Sequence, residues 1–211
     1  MTTQSILLDD LERDALTELV NIGVSRAAAN LRKMVGEQVL LSVPAVEVVT
    51  REGATTLIRE RESGELVAVR QDFAGVFSGR ALLIFPQSNS MALVHAVTGG
   101  ALSVADAADM EDEALAETGN VVLNSCLATM ANMLQRPLTM SLPEVIRGDG
   151  SKLFHLSPES SDGGVVLFLY INFAINDRDI RGYIAMLMDL PSLHALKGLI
   201  ADFIERVVGD A

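Results

Sequence analysis

Cysteine is nearly absent from this chain of 211 residues; Cys126 is the only one. An internal disulfide is thereby excluded, and a reducing cytosol is the expected setting. Cys126 lies among Leu123, Leu127 and Met130, so a buried structural thiol is expected. Basic residues are also scarce, 16 against 28 acidic, for a formal charge of −12. Nucleic acids and anionic membrane surfaces are bound by basic faces, so neither is expected as a partner. The three histidines, His95, His155 and His194, are scattered with no cysteine cluster beside them, so no zinc site is expected. No apolar run approaches the roughly 20 residues that a membrane-spanning helix needs. The longest, Val165 to Ala174, is broken by Asn172 and reads as a buried strand. The N-terminus has no basic stretch followed by an apolar one, so no secretory signal is expected. GxGxxG, Walker A and GxSxG patterns are missing as well, which removes the usual signatures of dinucleotide, P-loop and serine-hydrolase chemistry.

What is present is ample core material, 49% hydrophobic, in a length that suits one large domain or two small ones. Leu8 to about Val35 reads as a long helix, with Gly23 marking a bend or a tight packing point. Gln38 to Thr50 reads as strand, and Arg51 to Glu62 is polar and takes no clear assignment. Glu65 to Phe73 and Val76 to Phe85 read as strands joined at Gly75, followed by a helix over Gln87 to Val97 that Gly99-Gly100 ends. Ala101 to Met110 is the best candidate for a link. The pattern then restarts. Met110 to Leu134 reads as a second long helix, Leu138 to Arg147 as strand, and Gly148 to Ser161 as loop. Gly164 to Ala174 and Ile180 to Met188 read as strands joined near Asn176-Asp177, and Ser192 to Val208 as a terminal helix.

The two halves superpose at a constant offset. Glu18, Asn21, Met34, Ser42, Pro44 and Val46 fall on Glu117, Asn120, Met133, Ser141, Pro143 and Val145, every pair identical. This internal duplication predicts one α/β (α+β) domain over 1–211, made of related halves at about 8–100 and 108–208. Each half would supply a long helix, strands of a central and largely antiparallel sheet, and a further helix. A purely structural repeat would preserve apolar positions and glycines. Here a carboxylate and a carboxamide are repeated too.

Those polar residues share a helix face. At about 100° per residue, Asp14, Glu18 and Asn21 fall within roughly 60° of arc, away from Leu8, Leu11, Ala15, Leu16, Leu19, Val20 and Ile22. The second helix repeats the stripe with Glu113, Glu117 and Asn120. A solvated face would explain acidic residues on either helix alone. It does not explain E-x2-N-x22-P, which ordinary frequencies produce in roughly one chain of this length in forty, occurring twice.

The pattern [DS]-x3-E-x2-N-x22-P resembles the signature of the CheC/CheX/FliY family of chemotaxis phosphatases. The chain carries it as Asp14-x3-Glu18-x2-Asn21-x22-Pro44 and as Glu113-x3-Glu117-x2-Asn120-x22-Pro143. The stretch NIGVSRAAANLRKMVGEQVLLSVPAVEVV is similar to the CheC N-terminal half throughout, and two copies resemble CheC more than one-copy CheX. Two departures stand out: Glu113 occupies a position where the family has Asp or Ser, and Gly23-Val24-Ser25-Arg26-Ala27-Ala28 replaces the frequent G-x-G-N-A-A.

The resemblance implies hydrolysis of the aspartyl phosphate of a CheY-like response regulator in the cytoplasm. The enzyme would have no cofactor of its own, because the regulator would supply Mg2+ and a lysine. Asn21 and Asn120 would place the attacking water, since a neutral carboxamide both accepts and donates. Glu18 and Glu117 would meet the regulator's lysine; a general-base role is the rival assignment. Asp14 and Glu113 would set the edge of the contact. Pro44 and Pro143 read as structural, at an edge or bulge of a strand. The alternative function is a catalytically weak binding module that sequesters phospho-regulator or regulates a CheD-type deamidase.

Overall fold

The computed structural model describes residues 8–36, 38–43, 46–97, 109–154, 164–175 and 178–209. The expected link between the halves and the Asn176-Asp177 turn fall almost wholly outside them.

Helix α1 (Asp10–Val35) begins at a capping box in which Asp9 accepts from the Glu12 N–H and the Glu12 side chain accepts from the Asp9 N–H. It ends where Gly36 enters the left-handed region at φ 74° and donates back to the Arg32 carbonyl. The segment expected as one strand divides into β1 (Val39–Ser42) and β2 (Val46–Thr50). The unassigned polar segment is helix α2 (Arg51–Arg61), capped by Thr50 on the Gly53 N–H. It buries only Ala54 and Ile58, which is too thin a stripe to show as a period. Strands β3 (Leu66–Gly75) and β4 (Gly79–Pro86) form a hairpin whose turn is Val76–Ser78, just past the expected Gly75, and α3 (Gln87–Val97) follows. Helix α4 (Glu111–Met133) is the second long helix. The single strand expected next is again two, β5 (Leu138–Met140) and β6 (Glu144–Gly148). A short helix α5 (Gly150–Phe154) stands at the start of the expected loop, and β7 (Val165–Ile175), β8 (Arg178–Met188) and α6 (Leu190–Gly209) complete the chain.

All strand pairs among the described residues are antiparallel. The sheet runs β1-β7-β8-β4-β3-β5, with β2 also on β7 and β6 also on β3. The mixed α/β class with a largely antiparallel central sheet is therefore as expected. Strands β4 and β8 sit in the middle and are buried on both faces. Val67, Val69, Phe73, Leu83, Phe85, Leu167, Leu169, Ile184 and Met186 point to the larger core, where residues of α1, α3, α4 and α6 pack. The alternate residues Ala68, Leu82, Ile84, Val166, Phe168 and Ala185 point to a smaller core closed by Ala54 and Ile58 of α2 and by Leu153 and Phe154 of α5.

Helices α1 and α4 pack directly on each other. A Cβ on Gly23 would lie 2.8 Å from the Cα of Cys126, so Gly23 is a close-approach point within a continuous helix. Cys126 is fully buried there, and burial pushes its thiol up to about 12. Only about one thiol in ten thousand would be ionised at pH 8, and the thiolate is the reacting form. Labelling by a thiol reagent is therefore expected to follow the unfolding rate; rapid labelling of the native protein at pH 8 would contradict the packing.

Candidate functional site

Asp14, Glu18 and Asn21 share one stripe of α1, and Glu113, Glu117 and Asn120 share one stripe of α4, so the residues fall into two sets on two helices. Asp14, Glu18, Glu113 and Glu117 are exposed, with no side-chain ion pair or hydrogen bond among the described residues. The acidic residues that do pair on α4, Glu111 and Asp112, are held by Arg147.

On these stripes the carboxamides are less open than the carboxylates. Both are half-buried and hydrogen-bonded. Asn21 clamps one peptide group on each side of Val43: the Val43 N–H donates to Oδ1 at 2.9 Å, and Nδ2 donates to the Val43 carbonyl at 3.0 Å. Val43 follows β1, at a step in register between Ser42↔Asn172 and Val46↔Leu169. The clamp thus satisfies backbone groups that the ladder leaves behind. It uses one hydrogen and one lone pair of the carboxamide and leaves one of each.

Asn120 is held differently. Its Oδ1 accepts from Asn124 Nδ2 at 2.6 Å and from Gln71 Nε2 at 3.3 Å. Gln71 Nε2 also faces the Ser141 carbonyl at 3.0 Å. Ser141, Leu142 and Pro143 stand opposite Gln71 and Asp72 between the pairs Phe73↔Met140 and Arg70↔Glu144, which is a bulge of three residues against two. Ser141 closes it by donating its N–H to the Asp72 carbonyl at 2.9 Å, while its Oγ accepts from the Asp72 N–H at 2.9 Å. Asn120 Nδ2 has no hydrogen bond among the described residues and is not shut off from water.

The bulges point opposite ways. Val43 is buried at 2% exposure, whereas Leu142, its counterpart by the constant offset, is 88% exposed. Pro143 lies in the bulge rather than within a strand, and Pro44 falls outside the described residues. Sequence reasoning missed Gln71, Asn124 and Val43. Gln71 had a legible signal, being the one polar residue in the alternating apolar row Val67, Val69, Gln71, Phe73.

The family model described as Chemotaxis phosphatase CheX matches residues 67–168, from β3 through α4 into β7, and so takes in Gln71, Glu117, Asn120 and Asn124. Over that stretch, just under half of its length, the chain is similar to the CheX chemotaxis phosphatases. CheC1 of Halobacterium salinarum, described as a candidate CheY-P phosphatase, is 21% identical over 198 residues, 93% of this chain and 98% of CheC1. The flagellar motor switch phosphatase FliY of Bacillus subtilis is 26% identical over 140 residues, 65% of this chain but only 36% of FliY. Among solved structures, Thermotoga maritima FliY superposes with a TM-score of 0.72 at 16% identity, covering 93% of this chain and 98% of that one. The CheX–CheY–BeF3–Mg2+ complex of Borrelia burgdorferi gives a TM-score of 0.50 at 14% identity, over 82% of this chain and 99% of that one. No helix among the described residues is long and apolar enough to cross a membrane.

Proposed function

We propose that the chain removes the phosphoryl group from the aspartyl phosphate of a CheY-like response regulator in the cytoplasm. The observation that carries this reading is the repeated pairing of an exposed, unpaired glutamate with a hydrogen-bonded asparagine one turn on, on both long helices. The names of the relatives support it: FliY is a phosphatase, and CheX is found in complex with CheY. The six identical pairs and a strand order that places β1/β2 and β5/β6 at opposite ends of the sheet support descent of the two halves from one unit.

In the proposed step, a water oxygen attacks phosphorus in line, the bond from phosphorus to the aspartyl oxygen breaks, and the water's proton ends on the released phosphate. The metal belongs to the regulator. Asn120 offers N–H groups outward: one can hold the water through one lone pair while another lone pair faces phosphorus. Asn21 keeps one N–H and one lone pair for the same task. Glu18 and Glu117 carry free carboxylates that suit the regulator's lysine, and Asp14 and Glu113 extend that acidic edge.

One specific observation favours the alternative for the first site. The Asn21 clamp gives that carboxamide a structural task, as expected of a module that sequesters phospho-regulator or regulates a CheD-type deamidase. Phosphate release decides between the readings. The protein is added to a CheY-like regulator phosphorylated by acetyl phosphate in Mg2+, after the donor is removed. Accelerated release with turnover supports catalysis, and stoichiometric protection of the phosphoryl group supports sequestration.

Glu18→Ala with Glu117→Ala is expected to raise KM by about 3- to 10-fold with little change in kcat, since the carboxylates serve docking. The difference from the parent should shrink as salt approaches about 1 M, where the Debye length is near 3 Å. A fall in kcat at unchanged KM would instead assign the glutamates to the chemical step.

A further inference from the structure

We propose that Gln71 is a positioning residue of the second site, acting with Asn124 to lock the Asn120 carboxamide with its oxygen inward and its N–H groups outward. This rests on the reading of Asn120 as the water-placing group.

Gln71 is 1% exposed, in a row otherwise made of Val67, Val69 and Phe73. The core does not need a carboxamide there. Val145 sits opposite Val69, and its repeat counterpart Val46 sits opposite Leu169, so Ile171 holds in β7 the place that Gln71 holds in β3. Ile171 is 3% exposed and fills that place with hydrocarbon alone. Ser25, the counterpart of Asn124 at the same offset, is exposed, so the network belongs to the second half only.

The orientation of Gln71 follows from its partners. The Ser141 carbonyl can only accept, so the end facing it at 3.0 Å is the nitrogen. That nitrogen's two hydrogens are shared among Ser141, Asn120 Oδ1 at 3.3 Å and Asn124 Oδ1 at 3.4 Å. Gln71 Oε1 is left buried with no partner. A buried acceptor without a donor destabilises the fold, so stability alone does not account for a glutamine here. What the arrangement accomplishes is at Asn120. Donors from Gln71 and Asn124 converge on Oδ1 and fill both of its lone pairs. The amide is then unable to flip without losing both bonds, and Nδ2 is presented to whatever docks on the stripe. Without Gln71, one bond to Asn124 would remain, and the carboxamide would be free to rotate about its last torsion.

Gln71→Met tests this, because methionine keeps the length and volume and removes both the donors and the unpartnered acceptor. The variant is made in an Asn21→Ala background, so that turnover reports on the second site. Two readouts are taken: side-chain amide ¹⁵N relaxation of Asn120, with exposed Asn132 as reference, and steady-state dephosphorylation of an acetyl-phosphate-charged CheY-like regulator. The expected result is loss of order at the Asn120 amide, unchanged Asn132, and a kcat lower by about tenfold at unchanged KM. An Asn120 amide that stays rigid overturns the proposal, and so does a loosened amide with unchanged kcat. If Asn21→Ala with Asn120→Ala still turns over at the parent rate, the reading of Asn120 fails and the catalytic part of the proposal falls with it. The relaxation data then still decide whether Gln71 holds the side chain.

Discussion

Asn21→Ala combined with Asn120→Ala should lower the kcat for regulator dephosphorylation by at least about 100-fold. Under the proposed function, placement of the attacking group is the main contribution the protein would make to an already activated acyl phosphate, and misplacement by about 1 Å alone can cost 10²-fold. Each single variant should keep part of the activity, because the two carboxamides sit on different helices with separate partners. The variants should differ in stability. Alanine at position 21 strips partners from the Val43 N–H and carbonyl, beside a Val43 side chain that is buried. Unpaired groups of this kind cost about 1–3 kcal/mol, a melting point lower by roughly 2–12 °C in a domain of this size. Alanine at position 120 removes an acceptor from Asn124 and Gln71, and half-buried Asn124 can turn to water, so a smaller shift is expected. Assays at 25 °C, with thermal melts of each variant alongside, separate lost chemistry from lost folding. Turnover by the folded double variant at the parent rate would leave the stripe as a binding surface and put sequestration first.

The long helices, the paired stripes and the strands of the double-faced sheet were legible because burial imposes a period on residues such as Leu16, Leu19, Val20 and Leu31, and on Leu82 to Phe85. Helix α2 was not, since two buried residues in a polar segment carry no period. The breaks between β1 and β2 and between β5 and β6 were only partly legible. Pro44 and Pro143 signalled an edge or bulge, but Val and Leu residues flank them on both sides, and it takes the backbone register to show that the strands divide there with one residue inserted. Of the candidate site, the repetition of Glu-x2-Asn singled out the residues, but nothing in a repeat says what holds them. Asn21 and Asn120 are identical letters in identical frames, yet one is tied to Val43 and the other to Gln71 and Asn124, residues brought close only by sheet topology.

Gly119, the residue before Asn120, shows the same dependence, and Gly119→Ala should both destabilise the fold and impair the second site. A Cβ at Gly119 would stand 2.4 Å from the Cβ of Val69, so no change of the Val69 rotamer can relieve the overlap. Val69 is buried in β3, hydrogen-bonded in register between β4 and β6, and cannot retreat. The helix must lift. Overpacking of this kind costs typically 1–3 kcal/mol, against a gain of about 1 kcal/mol from replacing glycine in a helix interior. The clash is the larger effect when it is backbone-anchored on both sides, so a net loss of about 1–2 kcal/mol and a melting point lower by about 2–8 °C are expected. In α1 the same position by the constant offset is Val20, fully packed, so the close approach belongs to α4. Lifting α4 also withdraws Asn120 from Gln71, and the second site's kcat should fall by about 10- to 100-fold while the Asn21 site continues to turn over. Gly198→Ala on α6 is the internal control. It is exposed with nothing within 4 Å of an added Cβ, so there the helix gain stands alone and the melting point should rise. If Gly119→Ala raises the melting point as Gly198→Ala does, α4 does not rest on β3 as closely as this geometry requires, and the hydrogen bond from Gln71 to Asn120 would lose its structural basis.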